Sequence, residues 1–361
     1  MRDQLKRLQH FFEKYERVLL PFMLLFGVST DYLAFKTIDT NVAFLWLGLH
    51  LMLAPVAIFY INRYDAGLVR IQNKFTSTAR MFAPLLLQLS FGALLNASFV
   101  FYWFSASFSV SWPFFVVVVL LMVSNDVFRH WFVRPAVQIG VYFFACFSVL
   151  ALMIPYLANS IEARWFYTAG LVSVVVVETF GYGLSRSIKP VKHSHVWMPL
   201  AGVFIVMNGL YFFNLIPPIP LSLREAEIAH RIDRLDGSYR LAVEPENWLE
   251  RFLPGQTIHV RPGESVYLFS SIFAPAKLNT KIVHRWQVFD NESRAWIDKD
   301  QLSFYVSGGR EEGYRGYSRK STIVPGKWRV RIETVRGQVI GIVSVRIINV
   351  DQSPVFVEEE H

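Results

Sequence analysis

"FNLIPPIPLSLREAEIAHRID", Phe213–Asp233, separates two unlike parts of the chain. It begins as the end of an apolar run, passes Pro217, Pro218 and Pro220, and becomes charged. Residues 1–222 carry 16 Lys/Arg and 9 Asp/Glu; residues 223–361 carry 20 and 19. The longer part is therefore poor in charge and rich in Phe, Leu and Val, a composition that suits a lipid solvent. Of the net charge of +8, +7 belongs to it. The basic excess thus bears on membrane topology before it bears on nucleic acid, which the near-neutral C-terminal part has little charge to attract.

Seven apolar runs approach the ~20 helical residues that a bilayer crossing needs. They lie near 18–37, 41–62, 81–104, 112–128, 136–157, 164–184 and 196–217. Each is expected to be helical, because lipid cannot satisfy open backbone groups. Pro21, Pro84 and Pro199 are expected in first turns, and Pro55 and Pro155 deeper, where proline kinks a helix. The terminal segment and alternate loops hold 14 basic residues, among them Arg2, Lys14, Arg63, Arg80, Arg134 and Lys192; the other loops hold only Lys36 and Arg164. By the positive-inside rule the N-terminus (residues 1–17) is cytoplasmic, and seven crossings carry the C-terminal domain outside. Cys146 is the lone cysteine, so no intramolecular disulfide is available.

In the boundary stretch, the last helix is expected to leave the membrane at Leu215–Ile216, ended by the prolines. Ser222–Glu225 has capping-box spacing, and Leu221, Ile228, Ile232 and Leu235 fall on one helical face. Residues 218–236 therefore read as a proline-rich exit and an amphipathic linker helix. Over 237–350 the period becomes two. "SYRLAVE", "SVYLFSSIFA", "KIVHRWQVF", "QLSFYVSG", "GYSRKSTIV", "KWRVRIETV" and "VIGIVSVRI" read as strands, separated by turn signals such as Arg261-Pro-Gly and Pro325-Gly. The expected fold class is a seven-span α-helical bundle (18–217) followed by an all-β, immunoglobulin-like sandwich without the disulfide. Residues 351–361 read as a solvated acidic tail.

"NLIPPIPLSLREAEI", "VYLFSSIFAP", "HRWQVFD", "GGREEGYRGYSRKS", "GKWRVRIET" and "RGQVIGIVSVRI" occur in that order over residues 213–347. This stretch resembles the bacterial family called domain of unknown function 2914, in members where it follows an uncharacterised multi-span region. The resemblance implies a bacterial, Gram-negative envelope protein; joined to the loop charges, it makes the inner membrane and a periplasmic C-terminal domain the expectation. It brings no catalytic residue, because the family has no established activity.

Two groups of residues are candidates for chemistry. In the membrane part, Asp31 and His50 fall about 9–13 Å below the outer boundary at ~1.5 Å per residue, and Glu178 and Gln88 lie toward the inner side. Ionisable groups at such depth are costly and suit a proton or cation site, or an interhelical hydrogen bond. In the β part, Arg310, Tyr314, Arg315, Tyr317, Arg319 and Lys320 form the densest polar cluster, which Arg285 joins if it lies across the sheet. Arginine interleaved with tyrosine suits a carboxylate, a phosphate or a sugar face; it also suits a charged edge strand that resists aggregation. His193 and His195 show no carboxylate partner in the sequence. HExxH, GxSxG, P-loop and GxGxxG signatures are absent. No cofactor or metal is implied, and the expected partners are the lipid bilayer and a periplasmic protein, glycan or anionic ligand. The leading expectation is a non-enzymatic protein displaying a ligand-binding domain; the alternative is a membrane enzyme or transporter using Asp31, His50 and Glu178.

Overall fold

The computed structural model describes residues 29, 40–68, 74–127, 134–189, 191–235, 238–245, 255–275, 278–309, 312–352 and 354–361. The chain divides into a helical unit and a β unit, with the division in the long chain between Leu215 and Ile216. The first expected span, 18–37, lies outside the described residues except for Ser29.

The helical unit contains α1 (Thr40–Asp65), α2 (Lys74–Phe104), α3 (Phe108–Val127), α4 (Pro135–Ala158), α5 (Ala163–Ser187) and α6 (Ser194–Phe212). Five of them are long and apolar enough to cross a membrane, and α3 holds a shorter apolar stretch, Phe108–Ser124. This is a multi-span membrane protein whose apolar helices contact lipid. Helix α4 is the most enclosed, and hydrogen bonds tie it to its neighbours. Asn62 on α1 donates to Gln138 Oε1 at 2.6 Å, Tyr142 donates to the Leu51 carbonyl at 3.0 Å, and the Ser148 carbonyl accepts from Tyr102 at 3.2 Å. Interhelical bonds of this kind hold a bundle together where no hydrophobic difference separates protein from lipid. On α1, Leu45, Met52 and Val56 are exposed.

Three expectations about this unit are corrected. Helix α2 begins at Lys74, so Pro84 lies well inside it; Pro199 is likewise past the first turn of α6. Helix α6 ends before the prolines. Asn214 takes a left-handed φ of 56°, Leu215 N–H reaches the Leu210 carbonyl at 2.9 Å, and Asn214 N–H reaches Tyr211 at 3.1 Å. This is a Schellman closure with asparagine in glycine's usual place.

The β unit has β1 (Ser222–Ala229), β2 (Arg231–Leu235), β3 (Ser238–Val243), β4 (Gln256–Val260), β5 (Val266–Phe273), β6 (Asn279–Asp290), β7 (Ala295–Ser307), β8 (Tyr314–Lys320), β9 (Gly326–Thr334), β10 (Val339–Asn349) and β11 (Val357–Glu360). They form three sheets, ordered β1-β5-β8, β4-β10-β9-β6-β7 and β11-β3-β2. All pairs are antiparallel except β4 with β10. The first two sheets enclose one core. Leu268 and Ile272 come from one, Trp286, Val330 and Ile332 from the other, and Trp286 and Trp328 are among the largest side chains fully enclosed. The third sheet adds Leu241 and Val243 over the outer side of β5, burying Phe269. The unit is thus β-rich, with eleven strands in several sheets among the described residues.

The expected linker helix does not form. Ser222–Ala229 pairs with β5 from Ser222↔Phe273 to Ala229↔Tyr267, with a register shift between Leu223 and Glu225. Helix formers in "REAE" give a weak local preference, and a waiting strand edge outweighs it. The acidic tail is also structured. Val357–Glu360 pairs with β3, Glu358 meets Arg231 and Arg240, and Ser238 Oγ donates to Glu360 at 2.7 Å.

Candidate functional site

The sheet alternation separates Arg285 from the other β-domain candidates. On β6, even-numbered side chains enter the core: His284 lies between Ser270 Oγ at 3.0 Å and Ser318 Oγ at 2.9 Å, and Trp286 Nε1 donates to Ser318 Oγ at 3.0 Å. Arg285 therefore points to the opposite face and does not join the β8 cluster. There it donates to Glu333 Oε1 at 2.6 Å and Asp298 Oδ2 at 2.8 Å. The Glu333 hydrogen bond is the main cause that holds its guanidinium pKa above the usual value, against partial burial.

The β8 residues have different environments. Arg310 lies outside the described residues. Tyr314 packs partly against the core. Arg315 is paired with Glu312 at 2.5 Å, and Lys320 points inward to an ion pair with Asp300 of β7. Gly316 faces inward because a Cβ there would come 2.4 Å from the Phe304 ring. Tyr317 and Arg319 remain on the outer face. Tyr317 lies 6.2 Å from both Tyr239 and Tyr267, and Arg319 sits over the Tyr267 ring at 5.9 Å while donating to Ser265 at 3.0 Å.

The outer face of the five-stranded sheet carries a second arrangement, because alternation in "KWRVRIE" turns Lys327, Arg329 and Arg331 of β9 away from the core. Register sets Arg285 opposite Arg331 and Gln287 opposite Arg329. Arg285 and Arg331 both reach Glu333, a carboxylate only 1% exposed, at 2.6 and 3.2 Å. Arg329 is held differently. It donates from Nε to Gln287 Oε1 at 2.6 Å, and its guanidinium stacks over Trp296 at 4.3 Å. Gln287 is fixed in turn by Asp298 Oδ1 at 2.5 Å; this bond and the Arg285 contact hold the Asp298 carboxyl below its usual pKa against partial burial. Burial first, and then the neighbouring Arg331 charge, push the Arg329 pKa down. Guanidinium remains charged at neutral pH even so. Lys327, over the Phe289 ring at 5.8 Å, and its cross-strand neighbour Arg346 add two exposed cations beside it. Like charges on facing strands repel, and an anion between them relieves that repulsion.

Among the described intramembrane candidates, His50 and Glu178 each meet a partner on a neighbouring helix or loop. Asp31 lies outside the described residues. His50 on α1 meets Ser90 Oγ of α2 at 3.2 Å and lies edge-on to Trp46 at 4.7 Å. Glu178 on α5 lies 3.4 Å from His193, at the start of α6, which supplies the carboxylate partner that the sequence did not reveal. Gln88 is half-buried on α2. The crevice lined by Leu47, Ala97, Ser98, Phe101, Ser148, Val149 and Leu152 has no room for a water molecule.

No curated protein matches the chain. Among solved structures, it aligns with a β-glucosidase from Listeria innocua in complex with gluconolactone, at 12% identity and a TM-score of 0.20, over 36% of this chain and 16% of that one. It also aligns with the Pseudomonas fluorescens alkylpurine DNA glycosylase AlkC bound to DNA containing an abasic site analog, at 10% identity and a TM-score of 0.22, over 83% and 98%. The chain thus spans about a sixth of the β-glucosidase, and at these scores neither likeness extends to the fold. Residues 279–347, which run from the start of β6 nearly to the end of β10, match the family described as "Protein of unknown function (DUF2914)"; the chain carries a DUF2914 domain C-terminal to a helical region.

Proposed function

We propose that this protein displays its β domain on the periplasmic side of a bacterial inner membrane, where the outer face of the five-stranded sheet binds a negatively charged group of an envelope ligand or protein partner, without catalysis. The observation that carries this reading is Arg329, oriented in advance by Gln287 and Trp296 and flanked by Lys327 and Arg346. A guanidinium already fixed by stacking and one hydrogen bond loses little freedom when it takes an anion. The placement rests on the 14 basic residues of the N-terminal segment and alternate loops against 2 in the other loops. Tyr317 and Arg319, on the outer face of β8, are a secondary contact in this reading. The enzyme or transporter alternative has no comparable support among the described residues, where His50 and Glu178 engage separate partners.

Crosslinking with mass spectrometry in native membranes tests the site. Arg329→Glu is expected to lower capture of the partner about 10- to 100-fold, the effect of losing a charged hydrogen bond, with Arg315→Glu, already paired to Glu312, changing it little. Capture by Arg329→Glu equal to wild type removes the sheet face from consideration. A reporter fused after His361 is expected to be active outside the cytoplasm; cytoplasmic activity overturns the placement.

A further inference from the structure

We propose that Glu227, Glu359 and His361 bind a divalent transition-metal cation, zinc being the best match, with Glu225 setting the histidine tautomer. One ligand atom from each of the three lies within 4.8 Å of the others. His361 Nε2 is 3.3 Å from Glu227 Oε2 and 3.9 Å from Glu359 Oε2. A tetrahedral ion with bonds of about 2.0–2.2 Å places its ligand atoms about 3.4 Å apart, so these separations frame such an ion.

The histidine is arranged as a ligand. Its Nδ1 lies 3.1 Å from Glu225 Oε2, and Nε2 is shielded from solvent and makes no hydrogen bond. With the proton on Nδ1, Nε2 turns a lone pair toward two carboxylate oxygens. Three electron-rich atoms then converge, and a cation reconciles them. A carboxylate that receives the other ring N–H is the usual support for a metal-bound histidine. Imidazole with carboxylates suits zinc better than calcium or magnesium, which prefer oxygen alone.

The fold sets the donors in place. Glu225 and Glu227 alternate along β1; Glu359 and His361 alternate along the returning terminal segment. The His361 N–H and carbonyl exchange 2.9 Å bonds with Tyr239, and its ring rests 5.3 Å from that of buried Phe269. Arg231 and Arg240 are engaged by Glu358, which alternation places on the other face of β11. A bound ion would link β11 directly to β1.

Calorimetric titration of zinc into the full-length protein in detergent, purified without a histidine tag and stripped with chelator, tests this, with manganese as comparator. One equivalent of zinc is expected, bound more tightly than manganese. His361→Gln should weaken zinc by at least 100-fold. Glu225→Gln, which spares every ligand, should weaken it about 10- to 100-fold. No zinc uptake at millimolar concentration overturns the proposal, as does binding that survives both His361→Gln and the Glu227→Gln/Glu359→Gln pair. A Glu225→Gln protein that unfolds at the wild-type temperature and binds zinc as tightly as wild type removes the assigned role of Glu225.

Discussion

Gly308→Ala is expected to destabilise the β domain by about 3 kcal/mol or more, at the upper end of what overpacking produces. A Cβ at Gly308 would lie 1.6 Å from the Pro275 carbonyl oxygen and 2.8 Å from that of Ala274. Both obstacles are backbone, so no side-chain rotation relieves them. The same place is stitched by Gly308 N–H to the Leu278 carbonyl at 2.8 Å and Gly309 N–H to that of Ala274 at 3.1 Å. Separating the two segments breaks these bonds and draws Ala274, Leu278 and Val306 out of the core, where each is at most 2% exposed. Gly263→Ala is the contrast: nothing lies within 4 Å of a Cβ there, so its φ of 90° makes the change a matter of conformation alone, costing about 1 kcal/mol. Thermal unfolding followed through the enclosed Trp286 and Trp328 reads both variants. A Gly308→Ala midpoint equal to that of wild type would contradict the packing at this corner.

The second large effect is a loss of stability in acid caused by His284. The ring is fully buried, both nitrogens are engaged by serines, and burial depresses its pKa to about 3. In the unfolded chain it titrates near 6.5. Between these values the unfolded state holds the proton that the folded state refuses. Stability is therefore fully present above about pH 6.5 and falls as pH drops toward 3, by up to about 1.4 kcal/mol per pH unit. His284→Gln should flatten that part of the profile, whatever it does to stability at pH 7. Glu244 adds a loss at lower pH: burial raises its pKa, but hydrogen bonds from His230 and His259 outweigh this and hold it below the usual carboxylate range. Its contribution disappears only as pH falls through that depressed value. Denaturation profiles from pH 7 to 4 separate the two, and a wild-type profile as flat as that of His284→Gln would refute the assignment.

The apolar helices were legible because lipid imposes length and hydrophobicity together, with no need for distant partners. Seven strands were legible for a similar reason: alternation in "KWRVRIE" records burial on one face, and the apolar run in "VYLFSSIF" records a strand covered on both. Strand β1 was not, because its local pattern suits a helix and the deciding partner, β5, lies some 40 residues on. Strand β11 is four residues of acidic sequence whose place depends on Arg231, Arg240 and β3. The polar candidates were limited in the same way. Alternation identified the cationic face of β9, but only register brings Gln287, Trp296 and Asp298 to Arg329 and carries Arg285 away from β8. Glu178 and His193 lie 15 positions apart on either side of a turn, and no spacing rule joins them.

The short return of residues 357–360 onto β3 has a consequence for how copies of this protein behave at high density in a membrane. Without it, β3 would offer a row of open peptide groups beside Phe269, an invitation to lateral self-association. The last strand covers that row and replaces it with an edge only four residues long and rich in charge, a poor template for a further strand.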